Sequence, residues 1–213
     1  MTGLRESLDL LTRASSEKRG IKPRYGRAEV YQTLLILALE GPLGRLKIAE
    51  KVGLGEASIK TMLRRLRELG LVDIDPIAGA YLTSKGEETV KKLSEKLEPP
   101  ATINLCETAK WPNSKIIVLR KAASLLEKLN ILEIRDELIR RGAYAALIIV
   151  VEEGVAKLAG AEEYTSDEIN RIAKTVNASD KDLVLVAWSP KPRESERALI
   201  EVALDLLSRL EDN

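Results

Sequence analysis

A run of cations on one short helix is the strongest chemical signal in this sequence. Residues 53–70 read GLGEASIKTMLRRLRELG, and apolar residues recur there at the spacing of one buried helix face: Ile59, Met62, Leu63 and Leu66. At about 100° per residue, four polar side chains fall on the opposite face: Lys60, Thr61, Arg64 and Arg65. Arg67 falls near the margin of the two faces, and Ser58 lies in the first helical turn.

This polar face has two interpretations. Lys and Arg side chains bind DNA phosphates and guanine edges, so the face suits a major groove, with Ser58 near the bases at the helix start. Lys and Arg on the outer face of a helix are also commonly just solvated. The helix by itself does not decide between these interpretations, so the surrounding elements must.

Punctuation by Gly and Pro divides the front half into a defined order of elements. The pattern predicts helices and strands in this sequence: helix 28–40, helix 46–52, turn 53–56, helix 57–69, strands 71–75 and 80–84, and helix 84–97, in which Ser84 is the expected N-cap. This is the order of a winged helix-turn-helix, which binds double-stranded DNA through its second paired helix. Winged helices also serve as protein-interaction modules, so an accessory subunit of a transcription or replication complex is the alternative. The turn DPIAGA has no cation and offers little phosphate binding.

A basic segment precedes the helices. Five cations lie between residues 18 and 27: Lys18, Arg19, Lys22, Arg24 and Arg27. Lys22, Arg24 and Arg27 are candidates for phosphate or minor-groove contacts, and a solvated linker is the alternative. One such module makes few phosphate contacts, so we expect a homodimer on a two-fold operator, with residues 84–97 and 192–211 as candidate interface helices.

The back half mixes strand and helix patterns after Pro99 and Pro100. Candidate strands are 102–108, 115–119, 143–151, 155–159 and 183–188, and candidate helices are 121–129, 131–141, 166–177 and 192–211. The sequence thus predicts an α+β protein in three parts: a helix and basic segment (1–27), a winged helix-turn-helix domain (28–98), and an α/β sensor or dimerisation domain (101–213). For this last domain the mixed pattern fits an α+β arrangement as well as an α/β one.

The end of the last predicted strand is a candidate effector site. The segment VAWSPKPRES runs from a strand into a helix, and free amides at such a helix start attract anions. Trp188 would supply a flat wall, Ser189 a hydroxyl and Arg193 a charge for a small acidic molecule. The alternative is that Trp188 caps the core and the segment forms a stiff turn.

Composition excludes several classes of function. The chain has no histidine and one cysteine, Cys106, so we expect no metal site, no cofactor and no catalytic pair, and hence no enzyme. The longest apolar run, 143–151, is too short to span a bilayer, and the first residues do not resemble a signal peptide. We therefore expect a soluble cytoplasmic protein. Gln32 is the single glutamine beside abundant Glu, Lys and Arg, a bias typical of thermophile proteins.

Charge differs between the two halves. Residues 1–98 hold 18 Lys and Arg against 14 Asp and Glu, whereas residues 99–213 hold 16 against 19. A basic front half and an acidic back half are consistent with a nucleic-acid module fused to another domain.

Two longer stretches resemble known families. GRLKIAEKVGLGEASIKTMLRRLRELGLVDI, followed by LTSKGEE, resembles archaeal winged-helix transcriptional regulators over roughly residues 44–90. Residues 119–150 are similar to a domain of unknown function that accompanies such domains in archaea. The resemblance implies a DNA-binding regulator, and it supplies no effector, operator or catalytic residue.

Overall fold

The chain forms an α+β protein of two compact units. A computed structural model describes residues 3–18, 20, 22–103, 113–161 and 166–211. The units are residues 1–94 and 95–213. The first 27 residues, which we predicted as a separate segment, are part of the first unit, and the division falls shortly before the predicted boundary at Pro99 and Pro100. Arg19, Cys106 and residues 104–108 of a predicted strand lie outside the described residues.

Helices form most of the first unit. They are α1 (Leu4–Ser15), α2 (Arg27–Glu40), α3 (Arg45–Val52), α4 (Glu56–Glu68) and α5 (Ser84–Ser94). Helix α1 packs against α2, α4 and α5, and its Leu10 and Leu11 are at most 1% exposed. The core that they join contains Leu34, Ile59 and Leu93. The amino-terminal helix is therefore a structural part of this unit.

A glycine turn sets the angle between α3 and α4. Gly53 has a φ of 79°, which non-glycine residues rarely adopt, and its N–H donates to the Ala49 carbonyl at 2.8 Å to end α3. Gly55 then occupies the N-cap position of α4. The short α3 thus braces the longer α4 through a tight connection.

A two-stranded hairpin follows α4. Strands β1 (Val72–Asp75) and β2 (Gly79–Leu82) pair antiparallel, and Leu43 pairs with Ala80 on the outer side of β2. The N-cap of α5 is Thr83 and not the predicted Ser84, because the Thr83 hydroxyl accepts from the Gly86 N–H at 3.1 Å.

The second unit has a five-stranded sheet. Its strands are β3 (Ala101–Thr102), β4 (Asn113–Leu119), β5 (Ala145–Glu152), β6 (Val155–Leu158) and β7 (Leu183–Ser189), in the order β3-β4-β7-β5-β6. Its helices are α6 (Ile131–Arg140), α7 (Asp167–Thr175) and α8 (Pro192–Glu211), with a 3₁₀ helix at Ala123–Glu127. Every residue of the central strand β7 is buried.

The sequence left an α/β or an α+β arrangement open for this unit, and the antiparallel strand pairs of the described sheet make it α+β. Along β7, Val184, Val186 and Trp188 pack into a cluster with α7, and the alternate residues face the other side. Helix α8 packs against β4 and β7 as well as α6. The unit is therefore an antiparallel sheet with helices packed against it.

Helix α8 is committed to its own core. Buried residues recur along it: Leu199, Ile200, Val202, Ala203, Leu204, Leu206 and Leu207. A helix whose apolar side chains already pack against its own sheet offers little apolar surface to a second copy of the chain. The dimer interface on residues 192–211 stays a prediction, and it would have to use the polar outer face of the helix.

Candidate functional site

Helix α4 has one buried face and one charged face. Ile59, Met62 and Leu66 are fully buried, as the apolar spacing predicts. Lys60 and Arg64 are exposed, and among the described residues neither has an ion-pair partner. An unpaired cation pair on a rigid helix attracts anions from solution.

These two cations line a cleft between α4 and the hairpin. The cleft has a volume of about 650 Å³ and is lined on the helix side by Lys60, Thr61 and Arg64. Ile74 and Ile77 line it on the hairpin side. The cleft therefore has a cationic wall and a largely apolar wall.

Two further arginines line the cleft, and the sequence interpretation missed their position. Arg67 is 61% exposed and forms an ion pair with Asp73 at 3.1 Å, and Arg45 forms one with Glu56 at 3.5 Å. Arg67 was assigned to the margin of the helix, but β1 folds back beside that margin. The predicted hairpin could have indicated this position of Arg67, because the first strand of a hairpin that follows α4 must return along the helix.

The two hydroxyl side chains of α4 are less exposed than Lys60 and Arg64. Ser58 is half-buried in the first turn, at the end of the helix that we expected to approach bases. Thr61 is half-buried, and its hydroxyl donates to the Ala57 carbonyl at 3.1 Å. A hydroxyl that donates to its own helix keeps only its acceptor lone pairs for a ligand.

Arg65 does not point away from the core as predicted. It is 7% exposed, and one guanidinium nitrogen donates to the Ala14 carbonyl at 3.2 Å and the Ser16 carbonyl at 2.5 Å. Its guanidinium lies 5.9 Å from the centre of the Tyr25 ring. Helix α1 covers this side of α4, and its last carbonyls attract a cation. Arg65 therefore joins α1 to α4 and is removed from the candidate DNA contacts.

The basic segment has mixed surroundings. Lys22 and Arg24 are exposed, whereas Arg27 is half-buried at the first turn of α2. Lys18 forms an ion pair with Glu68 of α4 at 2.6 Å. Lys22 and Arg24 thus keep their predicted availability, and Lys18 is held beside α4.

The candidate effector site in the second unit is corrected. Trp188 is 7% exposed in the core, and Ser189 is fully buried. The Ser189 hydroxyl donates to Glu194 at 3.1 Å and accepts from the Lys191 N–H at 3.2 Å. Arg193 is exposed, but the other two side chains do not face solvent beside it. The alternative holds: Trp188 packs in the core and the segment is a tight turn.

Two arginines of the second unit, Arg120 and Arg141, are each bound by more than one carboxylate. Arg120 pairs with Glu98 at 2.9 Å and Asp182 at 2.5 Å. Arg141 contacts three carboxylates within 3.4 Å: Glu137, Glu201 and Asp205. These cations contribute to the fold and leave little charge for a polyanion.

Asp182 joins two segments of the second unit. Its side chain is fully buried, and burial by itself would raise the pKa. Hydrogen bonds from the Lys121 and Ser179 N–H groups, together with Arg120, outweigh burial and hold the pKa of Asp182 below its usual value. The buried carboxylate is therefore ionised and ties the segments around residues 120 and 180 together.

Neither a metal-binding cluster nor a membrane-spanning helix occurs in the described ranges. They contain no group of three or more Asp, Glu or Cys side chains placed to hold a metal ion. Within those same ranges, no helix combines the length and apolarity that crossing a membrane requires.

Family comparisons match each unit separately. Residues 29–88 match the model of the PH0730-like N-terminal domain, and residues 110–206 match a domain of unknown function, DUF4443. The first match runs from within α2 into α5, and it includes α3, α4 and the hairpin, whose residues line the cleft.

Two individual proteins show further likeness. A solved structure, hypothetical protein PH0730 from Pyrococcus horikoshii OT3, has a TM-score of 0.67 and 28% identity, covering 84% of this chain and 93% of that one. The central glycolytic genes regulator of Priestia megaterium (strain DSM 319 / IMG 1521) is 35% identical over 78 residues, or 37% of this chain. The matched stretch spans 22% of that regulator's length. Together these likenesses support a regulator-like protein.

Proposed function

We propose that this protein is a DNA-binding transcriptional regulator. In this proposal, α2 to α5 and the hairpin form a winged helix-turn-helix, and α4 lies in the major groove of double-stranded DNA. The observation that carries the proposal lies on the cleft side of α4, where Lys60 and Arg64 are exposed and have no ion-pair partner within the described ranges. The short likeness to a glycolytic genes regulator supports the same class of function.

Each cation has a defined role in the proposal. Lys60 and Arg64 bind phosphates or base edges, and Ser58 lies near the bases at the start of α4. Arg67 and Arg45 add positive charge along the cleft. To contact DNA they would have to leave their ion pairs with Asp73 and Glu56. Lys22 and Arg24 supply flanking phosphate contacts. Arg65 acts only inside the protein.

The second unit serves sensing or dimerisation in this proposal. A single module makes few phosphate contacts, so a homodimer on a two-fold site would raise affinity and specificity. No catalytic step is assigned to either unit. Sedimentation analysis of the full chain with and without DNA tests the dimer, and a monomer in both conditions would contradict it.

Fluorescence anisotropy on random-sequence duplex DNA tests the DNA-binding claim. The full chain should bind at low salt and lose affinity steeply as salt rises, because bound phosphates release counterions. Recovery of genomic fragments bound by the protein would then identify its sites. Absence of binding at low salt would sink the proposal and favour a protein-interaction module.

A further inference from the structure

The tip of the hairpin presents one apolar side chain entirely to solvent. Ile77 is 99% exposed, although apolar side chains of this size are usually buried. The tip, residues 75–79, reads DPIAG and contains no cation. A wing that binds the phosphate backbone would carry Lys or Arg at this tip. The tip therefore suits an apolar contact and not a phosphate contact.

The backbone holds Ile77 in a fixed position. The Asp75 carboxylate accepts from the N–H groups of Ile77 at 2.8 Å and Ala78 at 2.7 Å, and these bonds lower the Asp75 pKa. Gly79 has a φ of 101°, and a Cβ there would lie 2.4 Å from the Leu43 carbonyl oxygen. The base of the hairpin is thus closely packed, and ordering the tip on binding costs little entropy.

The position of Ile77 relative to the cations suggests what it contacts. It lines the same cleft as Lys60, Arg64 and Arg67. With α4 in the major groove, the cationic cleft receives the phosphate backbone that separates the two grooves. The hairpin tip on the far side of that backbone then faces the minor groove.

We infer that Ile77 is an apolar wedge that enters the minor groove and partly unstacks one base step. The inference rests on the proposed function and adds a source of sequence preference to it. Apolar side chains that enter the minor groove act in this way in other DNA-binding proteins. Pyrimidine–purine steps such as TA unstack most easily, so the wedge favours sites that contain them.

Two duplexes of equal length test the wedge at a constant number of phosphates, and variants of Ile77 then separate it from the narrower, more negative minor groove of homopolymeric dA·dT. One is alternating dA·dT, rich in TA steps, and the other is homopolymeric dA·dT, which has none; phosphates and base composition are identical. The full chain should bind the alternating duplex about tenfold more tightly, the scale expected from burying one Ile side chain. A 2-aminopurine placed at a TA step should brighten on binding as it unstacks.

Matched variants assign the effect to the tip. Ile77→Ser should abolish the preference and the fluorescence rise while leaving the salt slope unchanged, and Ile77→Leu should retain both. Leu132→Ser, which removes a 55% exposed side chain from the second unit, should behave as wild type. Exposure of Ile77 means that these changes leave the fold intact.

The outcomes separate the wedge from the proposed function. If Ile77→Ser binds DNA with an unchanged preference and fluorescence rise, the wedge is wrong and DNA binding stands. A changed salt slope in Ile77→Ser would also overturn the wedge, since it would show an electrostatic contact. Failure of the wild-type chain to bind either duplex at low salt overturns the wedge together with the proposed function.

Discussion

Two pairs of cations, one pair in each unit, have opposite surroundings. On α4, Lys60 and Arg64 face solvent without an ion-pair partner in the described part of the chain. In the second unit, Arg120 and Arg141 each bind two or more carboxylates. A cation with internal partners stabilises its own fold, whereas an unpaired cation on a rigid face is available to a polyanion. Local pairing therefore says more about function than the overall charge of +1.

The same contrast exists between two adjacent residues. Arg64 and Arg65 have the same chemistry, yet Arg64 is exposed and Arg65 is 7% exposed between α1 and α4. A count of arginines in this helix would treat them alike. Their separate roles make this pair the sharpest internal comparison in the molecule.

Arg65→Ala should produce the largest loss of stability. The substitution leaves the Ala14 and Ser16 carbonyls without their charged donor, which costs about 3 kcal/mol. Native-state hydrogen exchange should show faster exchange of the α1 and α4 amides. Arg64→Ala is the control and should change stability by less than about 0.5 kcal/mol. If the α1 and α4 amides exchanged equally fast in Arg65→Ala and Arg64→Ala, the structural role assigned to Arg65 alone would be contradicted.

Asp182→Asn should destabilise the second unit by about 2 kcal/mol. The amide fills the same space but leaves Arg120 without one of its carboxylates. Urea unfolding monitored by tryptophan fluorescence reports on this unit, since both tryptophans, Trp111 and Trp188, lie in residues 95–213. Glu152→Gln, at the exposed pair with Lys157, is the control and should have little effect. A loss no greater than in that control would contradict the role of Asp182.

The contribution of Asp182 should depend on pH. Because its folded pKa is depressed, its stabilisation is complete above the unfolded value of about 3.9 and is lost as pH falls through the folded pKa. The difference in unfolding free energy between wild type and Asp182→Asn should stay constant from neutral pH to about pH 5 and shrink below about pH 4. A difference that grows in acid would reverse the sign and reject this account.

Glu68→Gln should have the smallest effect of these substitutions. It should strengthen DNA binding, whereas the substitutions above weaken the fold. Glu68 pairs with Lys18 at an exposed position and lies near Arg64, so its loss adds one positive charge beside the cationic face. Affinity for duplex DNA at low salt should rise about twofold, and the gain should disappear at high salt. A fall in affinity would place Glu68 among groups that help binding.

Much of the first unit could be predicted from its sequence, because its signals are local. Gly41, Gly53 and Gly70 mark the ends of helices, and the apolar spacing of α4 identifies its buried residues correctly. The error at Arg65 has a nonlocal cause. A helical wheel shows which side chains lie off the apolar stripe, but not that a helix about 50 residues earlier in the chain covers that side.

Strand direction could not be predicted in the second unit. Apolar runs indicate buried strands, but they carry no information on whether neighbours run parallel or antiparallel. Strand β7 pairs with β4 and β5, both distant in sequence, and its burial on two faces hides Trp188. The predicted effector site needed Trp188 and Ser189 at the surface, and it was corrected because both side chains are buried.

The salt dependence of DNA binding, measured for matched double variants, tests the central claim most directly. Lys60→Ala/Arg64→Ala and Lys128→Ala/Lys174→Ala each remove two exposed cations, the second pair from the second unit. Anisotropy on random duplex DNA should show that the first variant lowers the salt slope by about 2 and weakens low-salt binding. The second variant should retain the wild-type slope. Equal slopes in both variants would show that α4 does not carry the interaction, and would contradict the account.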